Sequence, residues 1–241
     1  MKLTSKKILI PTSGPDDWRT LLADPEKHWS RGYSARTIAH CWESANGFPP
    51  EIYSVLNQNP SLKGIEPLLI LPEWKVPLPG GSTASQNDVW VLAKCNAGLV
   101  SMSIEGKVDE SFGSMVGDWK AQASQGKLDR LSYLAEVLGL AEPIPDNIYY
   151  QLLHRTASPV IEAERFGASQ AVLLVHSFSP DNTRFEDFRD FAALYGASAE
   201  IDSVSTVRAE AYSSSPGMGS RGRKISVCVG RKAFWQAIIK S

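Results

Sequence analysis

DVWVLAKCNAGLVSMSIEGKV, Asp88 to Val108, decides how the rest of the chain is read. Two runs rich in β-branched and apolar residues flank Asn96-Ala97-Gly98, a tripeptide suited to a tight hairpin loop. Alternation within the second run sends Met102, Ile104 and Val108 to one face and Glu105 and Lys107 to the other. A turn centred on Ala97 sets Asp88 across from Gly106, so one end of one hairpin is expected to gather an aspartate, a glutamate and a lysine. Two carboxylates so close repel each other, and without compensation one of them keeps a proton. A divalent cation removes the difficulty: Mg2+ takes one or two carboxylates plus water when it works on phosphates, and a neighbouring amine can orient the water or neutralise developing charge.

Outward from the hairpin, PLLILPEWKVPLPGG alternates prolines with aliphatic residues and reads as an edge strand ending in a Gly-Gly turn. Toward the N-terminus the character is helical. DDWRTLLAD reads as a short helix, and SARTIAHCWESANG as a longer one capped by Ser34, with Ile38, Cys41 and Trp42 on one face and Gly47 as its stop. Beyond Ser114 helical periodicity returns. LDRLSYLAEVLGL places Leu128, Leu131, Ala135 and Leu138 on one stripe, and NIYYQLLHRTASPVIEAERFG reads as a helix bent or divided at Pro159. SQAVLLVHSF then reads as a buried strand, TRFEDFRDFAALYG as a helix with a Thr183–Glu186 capping box, and KISVCVGRK as a last strand. This order predicts an α/β fold with a mixed central sheet flanked by helices: one domain over 1–241, with a helical N-terminal elaboration (1–60) and an α/β core (61–241).

The totals exclude several classes. With 241 residues, 43% of them hydrophobic and 21% charged, the chain has the composition of a folded globular protein able to bury a sizeable core. No apolar run approaches a membrane span, and Ile8-Leu9-Ile10 is too short for a signal-peptide core. Cys41, Cys95 and Cys228 are odd in number and widely spaced, which suits neither a disulfide framework nor a zinc motif, so a cytoplasmic location with reduced thiols is expected. A net charge of −1 makes the molecule no polycation. The stretch from Ala211 to Ser241 nevertheless carries no acid, and Arg221, Arg223 and Lys224 within it are the candidate contacts to nucleic-acid phosphate.

Asp88 heading one apolar strand, with Glu105-Gly106-Lys107 ending the next, resembles the motif of the PD-(D/E)xK nuclease superfamily, which has the restriction-endonuclease-like fold. The resemblance spans Ser34 to Phe178 in element order, although Asn87 stands where the family name places proline. It implies that Asp88 and Glu105 hold Mg2+ or Mn2+ and that Lys107 serves the hydrolytic water. It also implies an acidic residue on the helix before the sheet, here Glu43, as a further metal ligand. Polar residues on the helix after the sheet, Gln151 and His154, are implied to assist. The expected function is metal-dependent phosphodiester hydrolysis of nucleic acid; the alternatives are a non-catalytic interaction or regulatory protein that keeps the fold, and a small-molecule phosphoesterase.

Other patterns carry less. GMGSRG (217–222) spells a dinucleotide fingerprint but is followed by a strand where a helix is required, and it reads as a basic loop. His28, His40, His154 and His176 share no metal-ligand spacing, His176 reads as a core histidine, and Cys41 has no evident base partner, so covalent catalysis is not expected. The tryptophans read as packing.

Overall fold

A computed structural model describes residues 7–10, 12–30, 32–208 and 224–230, with 208 and 224–230 described in their backbone only. The hairpin forms as β2 (Ser85–Cys95) and β3 (Gly98–Lys107), joined by the two-residue turn Asn96-Ala97. Its pairs run from Cys95↔Gly98 to Val89↔Ile104. Because two residues rather than three make the turn, the register lies one position from the expected one, and its continuation sets Asp88 across from Glu105 instead of Gly106. Opposed residues on antiparallel strands share a face, so this shift is what puts the carboxylates of Asp88 and Glu105 together; pairing with Gly106 would have set them on opposite faces.

β1 (Glu66–Val76) pairs antiparallel with β2 and forms the sheet edge, where its prolines are tolerated. The N-terminal segment covers that edge: Ile70 donates to the Lys7 carbonyl (2.8 Å) and Leu9 to the Ile70 carbonyl (3.2 Å). β4 (Gln170–Ser177) lies parallel to β3, and β6 (Lys224–Gly230) lies parallel to β4. β5 (Ser203–Arg208), which has no counterpart in the sequence reading, adds antiparallel to β6 and completes a six-stranded mixed sheet of order β1-β2-β3-β4-β6-β5.

Two helical layers cover the faces of this sheet. On one lie α1 (Pro25–His28), α2 (Ser34–Ala45) and α3 (Pro50–Gln58), with Trp18, Ile38, Trp42 and Leu56 packed on Val89, Met102, Ile104 and Leu174. The helical N-terminus is therefore one wall of the core and not an appendage to it. On the other face lie α4 (Val116–Lys120), α5 (Gln125–Leu138), α6 (Tyr150–Phe166) and α7 (Phe185–Ala193), with Leu134, Leu153, Ala157 and Phe191 against Ala171 and Leu173. Among the described residues no helix is long and apolar enough to cross a membrane.

Several local expectations are corrected. DDWRTLLAD folds as a 3-10 turn, Pro15–Leu21. Ser34 does not cap α2; the Ser34 N–H is instead taken by the Glu110 carboxylate at 3.1 Å. α6 is one continuous helix through Pro159, because burial on the sheet and on α5 outweighs one missing backbone bond. The Thr183–Glu186 box does not form: α7 starts after Arg184 in the left-handed region, and the Thr183 N–H goes to Ser179 Oγ. Leu128, expected on the buried stripe of α5, is exposed.

Candidate active site

The end of β3 carries Glu105 and Lys107 onto the face covered by α6, whose first turns supply Gln151 and, one turn on, Arg155. Glu105 is the hub. Its Oε1 accepts from Lys107 Nζ (2.7 Å) and from Gln151 Nε2 (2.8 Å), while its Oε2 accepts from Arg155 Nε (2.5 Å). Gln151 Oε1 in turn accepts from Lys107 Nζ at 3.1 Å, which closes a triangle of acid, amine and amide. Glu105 and Lys107 are only 2% and 4% exposed, so the pair sits out of bulk water. Burial works to raise the Glu105 pKa, but Lys107 and then Arg155 overcome it and hold the carboxyl at about 2.

Between the two charged residues Gly106 has a packing reason. A Cβ there would come within 3.1 Å of Ile38 Cδ1 on α2, and the Gly106 N–H donates to Asp88 Oδ2 at 2.8 Å. The motif's central residue thus both admits α2 and holds the aspartate.

Asp88 has an acidic neighbour that the motif did not announce. Glu73 falls between the β1–β2 pairs Pro72↔Val89 and Trp74↔Asn87, directly across from Asp88, so acids of three adjacent strands stand in one row. Glu73 is held in the left-handed region (φ 52°) and accepts from Gln86 Nε2 at 2.8 Å. Like charges opposed on a sheet are unfavourable. Burial first, and Glu105 second, push the Asp88 carboxyl up to about 7; burial and then Asp88 push Glu73 up to about 8. The sequence signal for Glu73 is register alone, since it sits inside a segment that reads as a plain edge strand.

Glu43 is not the third acid of this row. Its carboxylate accepts from Thr12 Oγ1 (3.0 and 3.1 Å) and Trp18 Nε1 (2.9 Å), tying the N-terminal turn to α2, and the acid facing Asp88 is Glu73. His154 likewise stands behind the site. It shares a hydrogen bond with Ser85 Oγ at 2.8 Å, and Ser85 also takes bonds from Ser158 Oγ (2.8 Å) and Arg155 Nη1 (3.3 Å). Burial and then the Arg155 charge keep its imidazole pKa well below the usual histidine range. This neutral network orients Arg155, which sequence reasoning missed because nothing at its position on α6 names its partner on β3. Asn87 is a buried brace across three strands: its Nδ2 donates to the Trp74 carbonyl (3.0 Å), and its Oδ1 accepts from Ser103 Oγ (2.5 Å).

The acids that follow the motif are structural. Glu110 accepts from the N–H groups of Ser34, Val108 and Asp109, and Asp109 accepts from Ser179 Oγ at 3.1 Å. A narrow crevice lined by Phe112, Ser177, Asn182, Arg184 and Phe188 reaches Lys107 from the side of α7. Arg221 and Arg223 lie outside the described residues, and only the backbone of Lys224, at the start of β6, is described.

Residues 11–217, which include every member of this site, match a protein family described as Domain of unknown function (DUF6946). The chain belongs to that family. Comparison with curated proteins and with solved structures gives no match.

Proposed function

We propose that the chain is a metal-dependent nuclease in which Asp88 and Glu105 hold Mg2+ or Mn2+, Lys107 positions the attacking water and Gln151 holds Lys107 in place. The observation that carries this reading is the meeting of Asp88, Glu105, Lys107 and Gln151 at one end of β2, β3 and α6. The donor set suits a hard cation: Asp88 and Glu73 are facing oxygen acids whose pKa values are raised by burial and then by a neighbouring carboxylate, a cost that a bound cation would offset. A bound divalent ion would polarise a phosphoryl oxygen and acidify a water molecule. Lys107, fixed by Glu105 and Gln151, presents its ammonium where charge develops on phosphorus, and Arg155 keeps Glu105 ionised. Arg221, Arg223 and Lys224 are the proposed phosphate-tracking segment.

The test is cleavage of single- and double-stranded DNA and RNA in Mn2+. Lys107→Ala is expected to abolish cleavage while calorimetry still finds the ion bound, because Glu105 keeps its Arg155 partner; Asp88→Asn is expected to lose the ion. Absence of metal-dependent hydrolysis on every substrate, with the Lys107 variant indistinguishable from wild type, would overturn the proposal.

One observation favours a second reading. Both Glu105 oxygens are already taken by Lys107, Gln151 and Arg155, a closed ion-pair network of the kind a non-catalytic interaction protein would keep from a nuclease-like fold.

A further inference from the structure

Gly106 pairs in register with His176 of β4, whose side chain leaves the opposite face of the sheet toward α2 and α3. There His176 meets Cys41 of α2 and Glu51 of α3, residues separated by up to 135 positions in the chain. Their donor atoms all lie within 4.8 Å of one another: Cys41 Sγ is 3.7 Å from Glu51 Oε1, and His176 Nε2 is 3.6 Å from the same oxygen. His176 is fully buried, its ring is held by Trp42 Nε1 donating to Nδ1 at 3.3 Å, and its Nε2, aimed at the other two groups, makes no hydrogen bond. Glu51 Oε1, its polar neighbour in this direction at 3.6 Å, stands beyond hydrogen-bond length, and a buried nitrogen so poorly satisfied is a cost that folded proteins rarely accept.

We propose that Cys41, Glu51 and His176 form a Zn2+ site with three protein ligands. Tetrahedral zinc with bonds of roughly 2.0–2.3 Å to N, O and S sets its ligand atoms about 3.3–3.7 Å apart, which the Cys41–Glu51 and Glu51–His176 separations meet. A thiolate, an imidazole and one carboxylate make a borderline-soft set that suits zinc and not magnesium. Glu51 and Cys41 are both partly exposed, which leaves the fourth position to water. On binding, the Cys41 S–H bond breaks, its proton leaves to solvent and the sulfur lone pair goes to the metal. The imidazole proton moves from Nε2 to Nδ1, where it faces the Trp42 N–H, so loading the site breaks the Trp42–His176 hydrogen bond. This site is independent of the nuclease reading, since its ligands lie across the sheet from Asp88 and Glu105.

Cobalt(II) titration of the reduced full chain tests it. Wild type is expected to hold one cobalt ion through a thiolate, with a charge-transfer band in the near ultraviolet and the strong visible bands of a tetrahedral site, besides any cobalt at the carboxylates of Asp88 and Glu105, and Zn2+ should bleach both bands. Cys41→Ser should lose the charge-transfer band and bind Zn2+ more than about a hundredfold more weakly, and Glu51→Gln, which keeps the shape of α3, about tenfold or more. Cys95→Ser should bind as wild type does, and Asp88→Asn, whatever cobalt it loses from the carboxylates across the sheet, should keep the charge-transfer band. Indole fluorescence should change on loading in wild type but not in Trp42→Phe. A wild type without the charge-transfer band, a band that survives in Cys41→Ser, or a band lost in Asp88→Asn would each overturn the assignment.

Discussion

Asp88 shows what a single residue does when it is placed in a row of acids. Its carboxyl and that of Glu73 titrate at about 7 and about 8 in the folded chain, against 3.8 and 4.5 as reference values. Between those limits the native state holds more protons than the unfolded one, so the sign is clear: the two acids impose no penalty below about pH 4, and stability is lost as pH rises through 7 and 8. Asp88→Asn removes part of that penalty. Without divalent ions the variant should match wild type near pH 4 and exceed it at pH 8 by about 1 kcal/mol or more, read as a difference in melting temperature that grows with pH. A lower melting point than wild type at pH 8 would instead make Asp88 chiefly an acceptor for the Gly106 N–H. The same row explains why Glu105 differs so much from its neighbours: it alone has two cations in direct contact.

At the scale of elements, the strand end that carries the motif also sets the helix on the far side of the sheet. α2 has no side-chain cap of its own, and the carboxylate that closes its N-terminus comes from Glu110, three residues beyond Lys107. The same group takes the N–H donors of Val108 and Asp109, so it fixes the exit of β3 and the entry of α2 together. Glu110→Ala should therefore cost about 1–2 kcal/mol in urea unfolding, whereas Ser34→Ala, at the residue that reads as the cap, should cost much less. Equal losses would place the cap on Ser34 after all. Gly106 belongs to the same coupling, because the close approach of Ile38 excludes a side chain there.

For the molecule as a whole, both hydrophobic cores are built on the same strands: Val172 and Leu174 of β4 face α2 and α3, while Ala171, Leu173 and Val175 face the layer of α5, α6 and α7. Neither layer can detach without exposing the sheet that the other needs. Urea unfolding followed by tryptophan fluorescence, with Trp18, Trp42 and Trp90 all fully buried, and by far-ultraviolet circular dichroism should give coincident midpoints. Separated midpoints would mean that the N-terminal layer melts by itself. The candidate active site and the Cys41–Glu51–His176 cluster flank the same stretch of β3 and β4 on opposite faces, so each is held by the packing that holds the other.

The sequence by itself determined what depends on local periodicity and turn chemistry. The alternation after Asn96-Ala97 specifies the hairpin and puts Glu105 and Lys107 on one face, and Gly139, at φ 62°, ends α5 where its sequence places the stop. The proline-spaced aliphatic run specifies an edge strand. Tertiary structure decided the rest. Which acid faces Asp88 depends on the β1–β2 register, and Glu73 wins that place over Glu43, which is on the opposite layer with Trp18. Pro159 does not divide α6, because burial on both sides outweighs one absent backbone bond. Arg155 meets Glu105, and Cys41 meets Glu51 and His176, only because helices and strands remote in sequence cross there. Spacing along a chain carries information over one turn or one strand, whereas partners 50 or 135 positions apart are chosen by packing.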